Sequence, residues 1–220
     1  GATAMTIVPN VAKQASKVTM LQRSPTYVVA RPDQDAIANF LRKWLPSKLA
    51  YSITRLKNTW LQSFMYKRMR AKPEEAKRNL IGMTRAALNQ DFDVKKHFTP
   101  SYYPWDQRLC LLPNGDLYES INQGRVEVIT DTIDRVQETG ILVSSGDFIE
   151  ADIIITATGL NMEFLGGAGV SVDGQALSMP KLVSYKGMMY AEVPNFIQTF
   201  GYINASWTLR ADLTSEYACR

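Results

Sequence analysis

Apolar residues at helical spacing begin the chain, and a short apolar strand pattern follows them. In residues 2–15 apolar side chains recur every three or four positions, which predicts an amphipathic helix that accommodates Pro9. Residues 17–22 predict a short buried strand, and the proline-containing residues 24–33 predict a loop. We therefore expect the chain to start with a helix, a strand and a loop.

Helical periodicity dominates the next part of the chain. It predicts three helices over residues 34–45, 47–70 and 73–89, with Pro46 as the break between the first two. Prolines and aromatic residues crowd residues 91–114, for which we expect irregular structure. The middle of the chain is thus predicted to be a helical segment that ends in a long irregular loop.

Strand patterns return after a short predicted helix over residues 117–123. The apolar run Ala151–Gly159 predicts a buried strand that ends in a small-residue turn, and loop-rich structure is expected over residues 160–190. The remaining predicted elements are strands over residues 126–130, 133–137, 140–144, 147–150 and 196–200 and a closing helix over residues 205–219. Strands and helices in this order indicate an α/β fold.

The composition excludes several classes of protein. The 220 residues are 45% hydrophobic and 21% charged, which is typical of a globular protein. A single histidine, His97, and two cysteines, Cys110 and Cys219, are too few for a zinc finger or a disulfide framework, so we expect no metal site. No apolar run approaches the roughly 20 residues that span a bilayer, and the first residues do not resemble a signal peptide. We expect a soluble, cytoplasmic protein.

Positive charge is concentrated in one segment. The formal net charge is +4, but residues 41–78 contain 11 Lys and Arg against 2 Asp and Glu, a net charge of +9, so the remainder carries −5. Trp44, Trp60 and Phe64 are interleaved with these basic residues. Four interpretations compete: the solvated face of a helical subdomain, a peripheral membrane contact, a nucleic-acid site and a docking surface for an acidic partner. Because no helix-turn-helix, RNP or KH pattern is present, we expect no nucleic-acid partner.

The first residues also resemble part of a dinucleotide-binding turn. Gly1–Ala4 leads directly into the first predicted helix, and in a βαβ unit the N-terminus of that helix receives the pyrophosphate. Arg23 lies 22 residues after Gly1, at the end of the second predicted strand. An arginine there pairs with the 2′-phosphate of NADP, and Ser24 adds a hydrogen bond. The alternative is an ordinary helix start, since Gly-x-x-Ala alone is a weak signal.

Several runs, in a fixed order along the chain, carry a resemblance to a known enzyme family. They are Gly1–Thr6, Val18–Pro25, His97–Pro100, Tyr103–Cys110, Asp152–Gly159, Tyr185–Met189, Pro194–Phe196 and Gly201–Trp207. Together they resemble the class B flavoprotein monooxygenases, the group of Baeyer–Villiger and flavin-containing monooxygenases. The ordered set is more specific than any one of the runs.

The resemblance implies a domain organisation. Residues 1–32 and 91–160 are expected to form a Rossmann-like NADPH-binding domain without its first strand, and residues 33–90 a helical insertion. Residues 161–220 are expected to be the return segment of an FAD-binding domain. The Gly-x-Gly-x-x-Gly turn for FAD and the family's histidine-containing fingerprint are both missing from the sequence. We therefore expect an internal piece of a longer protein.

The activity that the resemblance implies is the insertion of one oxygen atom from O2 into a small-molecule substrate. FAD and NADP are the expected cofactors, and the oxygenating species of the family is a flavin C4a-peroxide. Ketones, oxidised to esters or lactones, are the expected substrates. The alternatives are an enzyme that oxygenates nitrogen or sulfur, and a non-catalytic fragment that binds a membrane or a partner. No oligomeric state follows from the sequence.

The resemblance further implies which residues act at the site. Arg108 matches the family's active-site arginine and is expected to be catalytic, since a guanidinium stays charged and offers planar donors to an anion. Gln107 stands where relatives often carry a lysine. The expected cofactor contacts are Gly1, Ala2, Thr3, Ala4, Thr6, Arg23, Ser24, Gln107, Thr158, Gly159, Asn204 and Trp207. For His97 an acid/base role and a structural role both remain open.

Overall fold

In this computed structural model the described residues are 2–107, 109–202 and 207–220, and the chain divides into two units, Gly1–Thr158 and Gly159–Arg220. The first unit mixes helices with parallel and antiparallel strands. The second consists of short hairpins, turns and one helix. The first unit therefore confirms the expected α/β class.

The first unit contains six helices and seven strands among its described residues. The helices are α1 (Ala2–Val11), α2 (Ala36–Trp44), α3 (Ser47–Ala71), α4 (Pro73–Ala87), α5 (Val94–Phe98) and α6 (Asp116–Asn122). The strands are β1 (Val18–Gln22), β2 (Val28–Arg31), β3 (Cys110–Pro113), β4 (Val126–Thr130), β5 (Ile133–Gln137), β6 (Gly140–Val143) and β7 (Phe148–Glu150).

Two parallel strand pairs organise the first unit. In one, β1 pairs with β4, with Val18 opposite Val126 and Gln22 opposite Thr130. In the other, β2 pairs with β3, with Val28 opposite Cys110. Parallel strands require long crossover connections, and here those connections contain the helices α2 to α6.

A hydrophobic core forms where α1 and α6 pack on these strands. Met5 and Val8 of α1, Leu112 of β3, Leu117 of α6 and Val128 of β4 are all buried in it. Complete burial of one such side chain contributes about 1.5–3 kcal/mol to stability. The core therefore fixes α1 against the strands whose ends carry candidate ligand residues.

The helical segment α2–α4 is bounded by local signals in its sequence. The Asp35 carboxylate caps α2 by accepting a hydrogen bond from Ala38 N at 3.0 Å, and it also pairs with Lys57 of α3 at 2.6 Å. These contacts lower the pKa of Asp35 to about 2, with the Lys57 hydrogen bond as the largest cause. Pro73 stands in the first turn of α4, where a missing N–H costs nothing. The hairpin of α2 and α3 is thus tied together at its open end.

The second unit has little regular structure among its described residues. It contains two hairpins, β8 (Val170–Val172) with β9 (Gln175–Leu177) and β10 (Ser184–Tyr185) with β11 (Met189–Tyr190), two 3-10 turns, and the helix α7 (Trp207–Ala218). Its buried side chains include Met179, Met188 and Val193. Met188 is therefore a core residue of this unit.

Most predicted elements are confirmed. The helices predicted within residues 2–15, 34–45 and 73–89 are present. Helix α3 extends one residue beyond the predicted range 47–70, and α6 begins one residue before the predicted range 117–123. The strands predicted over residues 17–22 and between residues 126 and 150 are present as well. The closing helix is confirmed over Trp207–Ala218. Residues 160–190 are rich in loops, as expected, and also contain the two short hairpins.

Four predictions are wrong. The predicted loop over 24–33 contains β2, and the region 91–114 contains α5 and β3, because β2 and β3 pair with each other across the helical segment. Residues 196–200 form no strand, and the ring of Phe200 packs instead on Trp207 at a centroid distance of 4.7 Å.

The predicted buried strand over Ala151–Gly159 is also absent. Ile153 is 79% exposed, and Ile154 and Ile155 are exposed beside it. β-Branched residues favour an extended backbone, but a strand needs a partner for its N–H and C=O groups, and no described strand pairs with this segment. The segment is therefore extended chain without a sheet.

Two classes of feature are absent from the described residues. No helix among them is long and apolar enough to cross a membrane. No group of three or more His, Cys, Asp or Glu among them could hold a metal ion.

A matched pair of glycines tests the packing of the antiparallel sheet β5–β6–β7. A Cβ at Gly140 would lie 2.1 Å from the backbone oxygen of Ile149, so Gly140→Ala should destabilise the first unit by about 1–3 kcal/mol. A Cβ at Gly82, inside α4, would meet nothing within 4 Å, so Gly82→Ala should stabilise it by about 0.5–1 kcal/mol. Chemical denaturation of both variants measures the difference. Equal effects would contradict this account of the packing at Gly140.

Candidate functional site

The start of α1 and the end of β1 lie at the same edge of the first unit. A six-residue connection joins the end of α1 to the start of β1, and the two elements pack together, so they run in opposite directions. The first N–H groups of a helix have no partner within it and carry partial positive charge. This edge, named here the β1 edge, therefore combines helix donors with the residues that follow Gln22.

Arg23 and Ser24 follow β1 directly and are both exposed. Among the residues that the structure describes, none forms an ion pair or a hydrogen bond with the Arg23 side chain. Its guanidinium is thus a free cation at the β1 edge, available to an anion from solution.

The helix side of the β1 edge presents small side chains. Ala2 and Thr3 are exposed and Ala4 is half-buried. The hydroxyl of Thr6 donates to the carbonyl of Ala2 at 3.4 Å, so it is engaged within its own helix. Gly1, the predicted turn glycine, lies outside the described residues. The start of α1 therefore leaves room for a ligand to approach its backbone donors.

A half-buried polar network holds the ends of β1 and β4 together. The amide Nε2 of Gln22 donates to the carbonyl of His97 at 2.7 Å and to the hydroxyl of Thr130 at 2.9 Å. The Thr130 hydroxyl also lies 2.8 Å from Nδ1 of His97. These bonds connect α5 to both strands one residue before Arg23, so they fix the position at which Arg23 leaves the sheet.

The same network explains the environment of His97. Burial, followed by the charge of neighbouring Lys96, holds the pKa of His97 below its ordinary value. A neutral ring can accept the Thr130 hydroxyl proton at Nδ1. His97 thus has a structural explanation, and no second titratable group in the described residues bonds to its ring.

The loop that leads to Arg108 rests on the helical segment. Asp106 pairs with Arg70 of α3 at 2.6 Å and accepts a hydrogen bond from Tyr103 N at 3.1 Å. The hydroxyl of Tyr103 donates to Glu74 of α4 at 2.6 Å. The junction between α3 and α4 therefore holds this loop at two points.

Trp105 adds an apolar contact to the same junction. Its indole Nε1 lies 3.1 Å from the sulfur of Met69, and its ring stands edge-on to Tyr66 at a centroid distance of 5.4 Å. The φ of Trp105 is 71°, in the left-handed region that bulky residues rarely adopt. The contacts with α3 therefore hold a strained backbone two residues before Gln107.

The other end of the loop is anchored to β2. The buried Tyr27 donates its hydroxyl proton to the carbonyl of Tyr102 at 2.6 Å, and the two rings meet edge-on at 5.4 Å. Burial is the largest cause that raises the pKa of Tyr27 to about 12, so its hydroxyl remains a donor throughout the physiological range. Residues 102–106 are thus held from both sides.

The remaining predicted site residues are dispersed. Gln107 is exposed and follows the anchored loop, whereas Arg108 and Asn204 lie outside the described residues. Thr158 and Gly159 are exposed where the two units meet in sequence, and Gly159 has a φ of 95°. The chain bends at Thr158, next to the left-handed Gly159, but no strand ends there.

Trp207 belongs to the second unit and is half exposed at the start of α7. Its ring packs on Phe200, and a Cβ at Gly201 would lie 2.0 Å from it. Gly201 therefore makes room for the indole. Both observations describe a packing role for Trp207.

Two concave regions occur near α6, away from the predicted site residues. A cleft of about 460 Å³ lies between Ala87 at the end of α4 and Asn122 at the end of α6. A smaller apolar cavity of about 50 Å³ lies between β2 and α4, beside Thr84 and Tyr118. Neither cavity includes Arg23, Gln107 or Thr158.

Sequence reasoning missed the residues that hold the candidate site. Arg70, Glu74 and Met69 belong to the segment for which only helices and a charge excess are predicted, and Gln22 and Thr130 have no predicted role. The acid Asp106, two residues before a predicted catalytic arginine, is a local signal that is compatible with an ion pair. The sequence offered no comparable signal for Gln22 and Thr130.

The comparison with known proteins gives close relatives along the whole chain. No family model matches it. It is 51% identical to the FAD-containing monooxygenase EthA of Mycobacterium tuberculosis, covering 100% of this chain and 45% of EthA. It is 45% identical to the probable FAD-binding monooxygenase AlmA of Acinetobacter baylyi, covering 100% of this chain and 44% of AlmA. The chain thus spans slightly less than half the length of these relatives.

Solved structures agree with the fold. An open crystal structure of cyclohexanone monooxygenase has a TM-score of 0.64 at 19% identity, covering 99% of this chain and 52% of that one. A structure described as OTEMO in complex with FAD and NADP has a TM-score of 0.53 at 18% identity, covering 73% and 37%. At these identities the likeness shows the fold alone.

Replacing Asp106 with Asn tests the anchor of the loop. The substitution removes the charge that faces Arg70, so the Tyr103 amide, which donates to Asp106, should exchange its hydrogen faster. The Arg70 contact lowers the pKa of Asp106, so the anchor should be complete above about pH 4 and weaken only as the pH falls further. NMR hydrogen exchange across this range measures both effects.

The control is Asp134→Asn, which removes another exposed aspartate that pairs with an arginine, Arg135, in β5. It should leave exchange at Tyr103 unchanged. The anchoring role of Asp106 would be contradicted if the Tyr103 amide exchanged at the same rate in Asp106→Asn. It would also be contradicted if the pH dependence of that exchange were the same in the variant and the parent protein.

Proposed function

Since this chain belongs to the class B flavoprotein monooxygenase family, we propose that it is the NADPH-binding part of a flavin-dependent monooxygenase. It spans 45% of the length of EthA. The observation that carries the proposal is the free guanidinium of Arg23 at the edge where α1 begins. FAD and NADP are its proposed cofactors, and a small organic molecule and O2 its substrates.

The β1 edge has the chemistry that NADP needs. The unpaired N–H groups at the start of α1 suit a pyrophosphate, and small Ala2 and Thr3 leave them accessible. Arg23 suits the 2′-phosphate, which distinguishes NADP from NAD. Ser24 lies beside it as a hydroxyl donor. The proposed role of this edge is to bind and orient the dinucleotide.

We assign this chain no FAD-binding step. When bound, FAD that NADPH has reduced supplies the activation of O2. The proposed task of Arg108 is to hold positive charge beside an oxygen that becomes anionic, because its guanidinium is charged at every working pH. The anchored residues 102–106 support this role, since they fix the loop that precedes it in the sequence.

The proposed reaction is the oxidation of ketones to esters or lactones. It is supported by the run Tyr103–Cys110, which resembles the stretch that carries the active-site arginine in the Baeyer–Villiger branch, with Gln107 as a departure from the lysine that relatives often carry there. The alternative within the family is oxygenation of nitrogen or sulfur, for which an anion-stabilising arginine is dispensable.

The proposed domain organisation assigns residues 1–32 and 91–160 to the NADPH-binding domain, 33–90 to a helical insertion and 161–220 to the return segment. The separation of the two units after Thr158 supports the last boundary. The three helices between Ala36 and Ala87 support the insertion.

Replacing Arg23 with Gln tests the choice of cofactor. In the full-length enzyme loaded with FAD, the substitution should raise the KM for NADPH roughly 10- to 150-fold, the range for a lost hydrogen bond to a charged group, and leave the KM for NADH unchanged. Steady-state NAD(P)H oxidation measures both values. The control is Arg31→Gln, which removes another exposed arginine at the carboxyl end of a strand, β2. If Arg23→Gln changed the KM values for NADPH and NADH by the same factor, the proposed role of Arg23 would be refuted.

Replacing Arg108 with Ala tests the reaction. Ester or lactone formation from a ketone should fall by about two orders of magnitude or more, the size of effect seen when one anion-stabilising donor is removed. Oxidation of NADPH should continue, because the reduction of FAD does not need this residue. Product analysis with Arg125→Ala as the control separates the two activities. Undiminished ketone oxidation in Arg108→Ala would overturn the assigned role.

A further inference from the structure

A stripe of large apolar side chains lies on the outside of α3. Leu49, Ile53, Leu56, Trp60 and Phe64 are spaced by three or four residues and therefore share one face of the helix. All five are exposed, Leu56 by 73% and Trp60 by 64%, and the rings of Trp60 and Phe64 stack in parallel at 5.5 Å. A face of this kind is expected inside a protein and is here open to solvent.

A different face of α3, next to this stripe, packs on the protein. Ala50 is only 1% exposed, and Thr54, Met65 and Met69 are half-buried on the same side. The apolar stripe therefore points away from the body of the first unit, so it does not belong to the core of that unit.

The neighbouring helix α2 exposes a second apolar stripe. Ile37, Phe40 and Trp44 recur at helical spacing, Trp44 is 74% exposed, and the rings of Phe40 and Trp44 lie 6.4 Å apart. We name the two stripes together, Ile37, Phe40, Trp44, Leu49, Ile53, Leu56, Trp60 and Phe64, the outer helical face.

Basic residues, several of them without an acidic partner among the described residues, flank the outer helical face. The 37 residues from Ala36 to Lys72 contain nine Lys and Arg and no Asp or Glu. Within the described part of the chain, no carboxylate pairs with Arg42, Lys43, Lys48, Arg55 or Lys67. Exposed apolar rings among unpaired cations thus cover one side of the hairpin of α2 and α3.

We propose that the outer helical face docks on an anionic lipid surface. Aromatic and aliphatic side chains insert at the boundary between headgroups and acyl chains, while Lys and Arg reach the anionic headgroups along their flexible stems. A second copy of the chain would bring like charges together. Neither the fold of the first unit nor the proposed oxygenation depends on this contact, so it can be tested separately.

Vesicle flotation of the full-length protein tests the proposal. The protein should float with vesicles that contain phosphatidylserine and remain at the bottom of the gradient with pure phosphatidylcholine vesicles. Binding should fall strongly at about 1 M salt, where the Debye length is about 3 Å. Absence of flotation with anionic vesicles would overturn the proposal. The same result is expected if other segments of a longer protein cover the outer helical face, and it would count against the proposal equally.

Two matched pairs of variants assign the binding to this face. Lys48→Gln with Lys67→Gln should lower binding roughly tenfold or more, since one basic residue near such a surface contributes about fivefold. Lys13→Gln with Lys95→Gln removes the same charge elsewhere and should have little effect. Phe64→Ser should weaken binding, whereas Phe148→Ser in β7 should not, although the two rings are similarly exposed, at 48% and 41%.

Circular dichroism confirms that each variant is folded before flotation. Equal loss in the test and control charge variants would mean that net charge alone drives binding, and it would contradict docking through this face. A protein that elutes as a dimer and loses that state in Phe64→Ser without binding vesicles would also contradict it.

Discussion

The parallel pairing of β1 with β4 is the constraint on which the candidate site depends. It joins residues 18–22 to residues 126–130, so the chain between them must leave the sheet and return to the same edge. Parallel pairs are stable only when they are covered, and α1 and α6 supply that cover through a shared core. The position of Arg23 is therefore set by contacts that involve most of the first unit.

The side chains that tie the ends of β1 and β4 together are all hydrogen-bonded, whereas the arginine that follows β1 has no such bond among the described residues. Gln22, Thr130 and His97 bond to one another, so none of them has reason to capture a ligand. Arg23, one residue further, has no described partner. A hydrogen-bonded network next to an unpaired arginine favours anion binding, because the guanidinium does not have to break an existing ion pair to reach its ligand.

Local patterns predicted the helices well and the strand pairing poorly. Helices over Ala36–Ala87 follow from spacing, prolines and caps, which are signals within a few residues of each element. Val28–Arg31 was interpreted as a loop because Pro25 and Pro32 flank it, and its partner β3 lies about 80 residues later. Such pairing cannot be read from neighbouring residues, and the same limit made Ala151–Gly159 look like a strand.

The sequence predicted those parts of the candidate site that depend on residues close together in the chain. Arg23 at the end of a strand follows from a short pattern, whereas the contacts of Asp106 with Arg70 and of Tyr103 with Glu74 depend on how α3 and α4 meet. The sequence analysis treats residues 41–78 as one basic segment, but in the structure different parts of this segment make different contacts. Arg70 and Met69, in the last turn of α3, hold the loop before Gln107, while the stripe from Leu49 to Phe64 faces outward. Because these contacts lie on different parts of the helix, the anchoring of the loop and the exposed apolar stripe are separate features of α3.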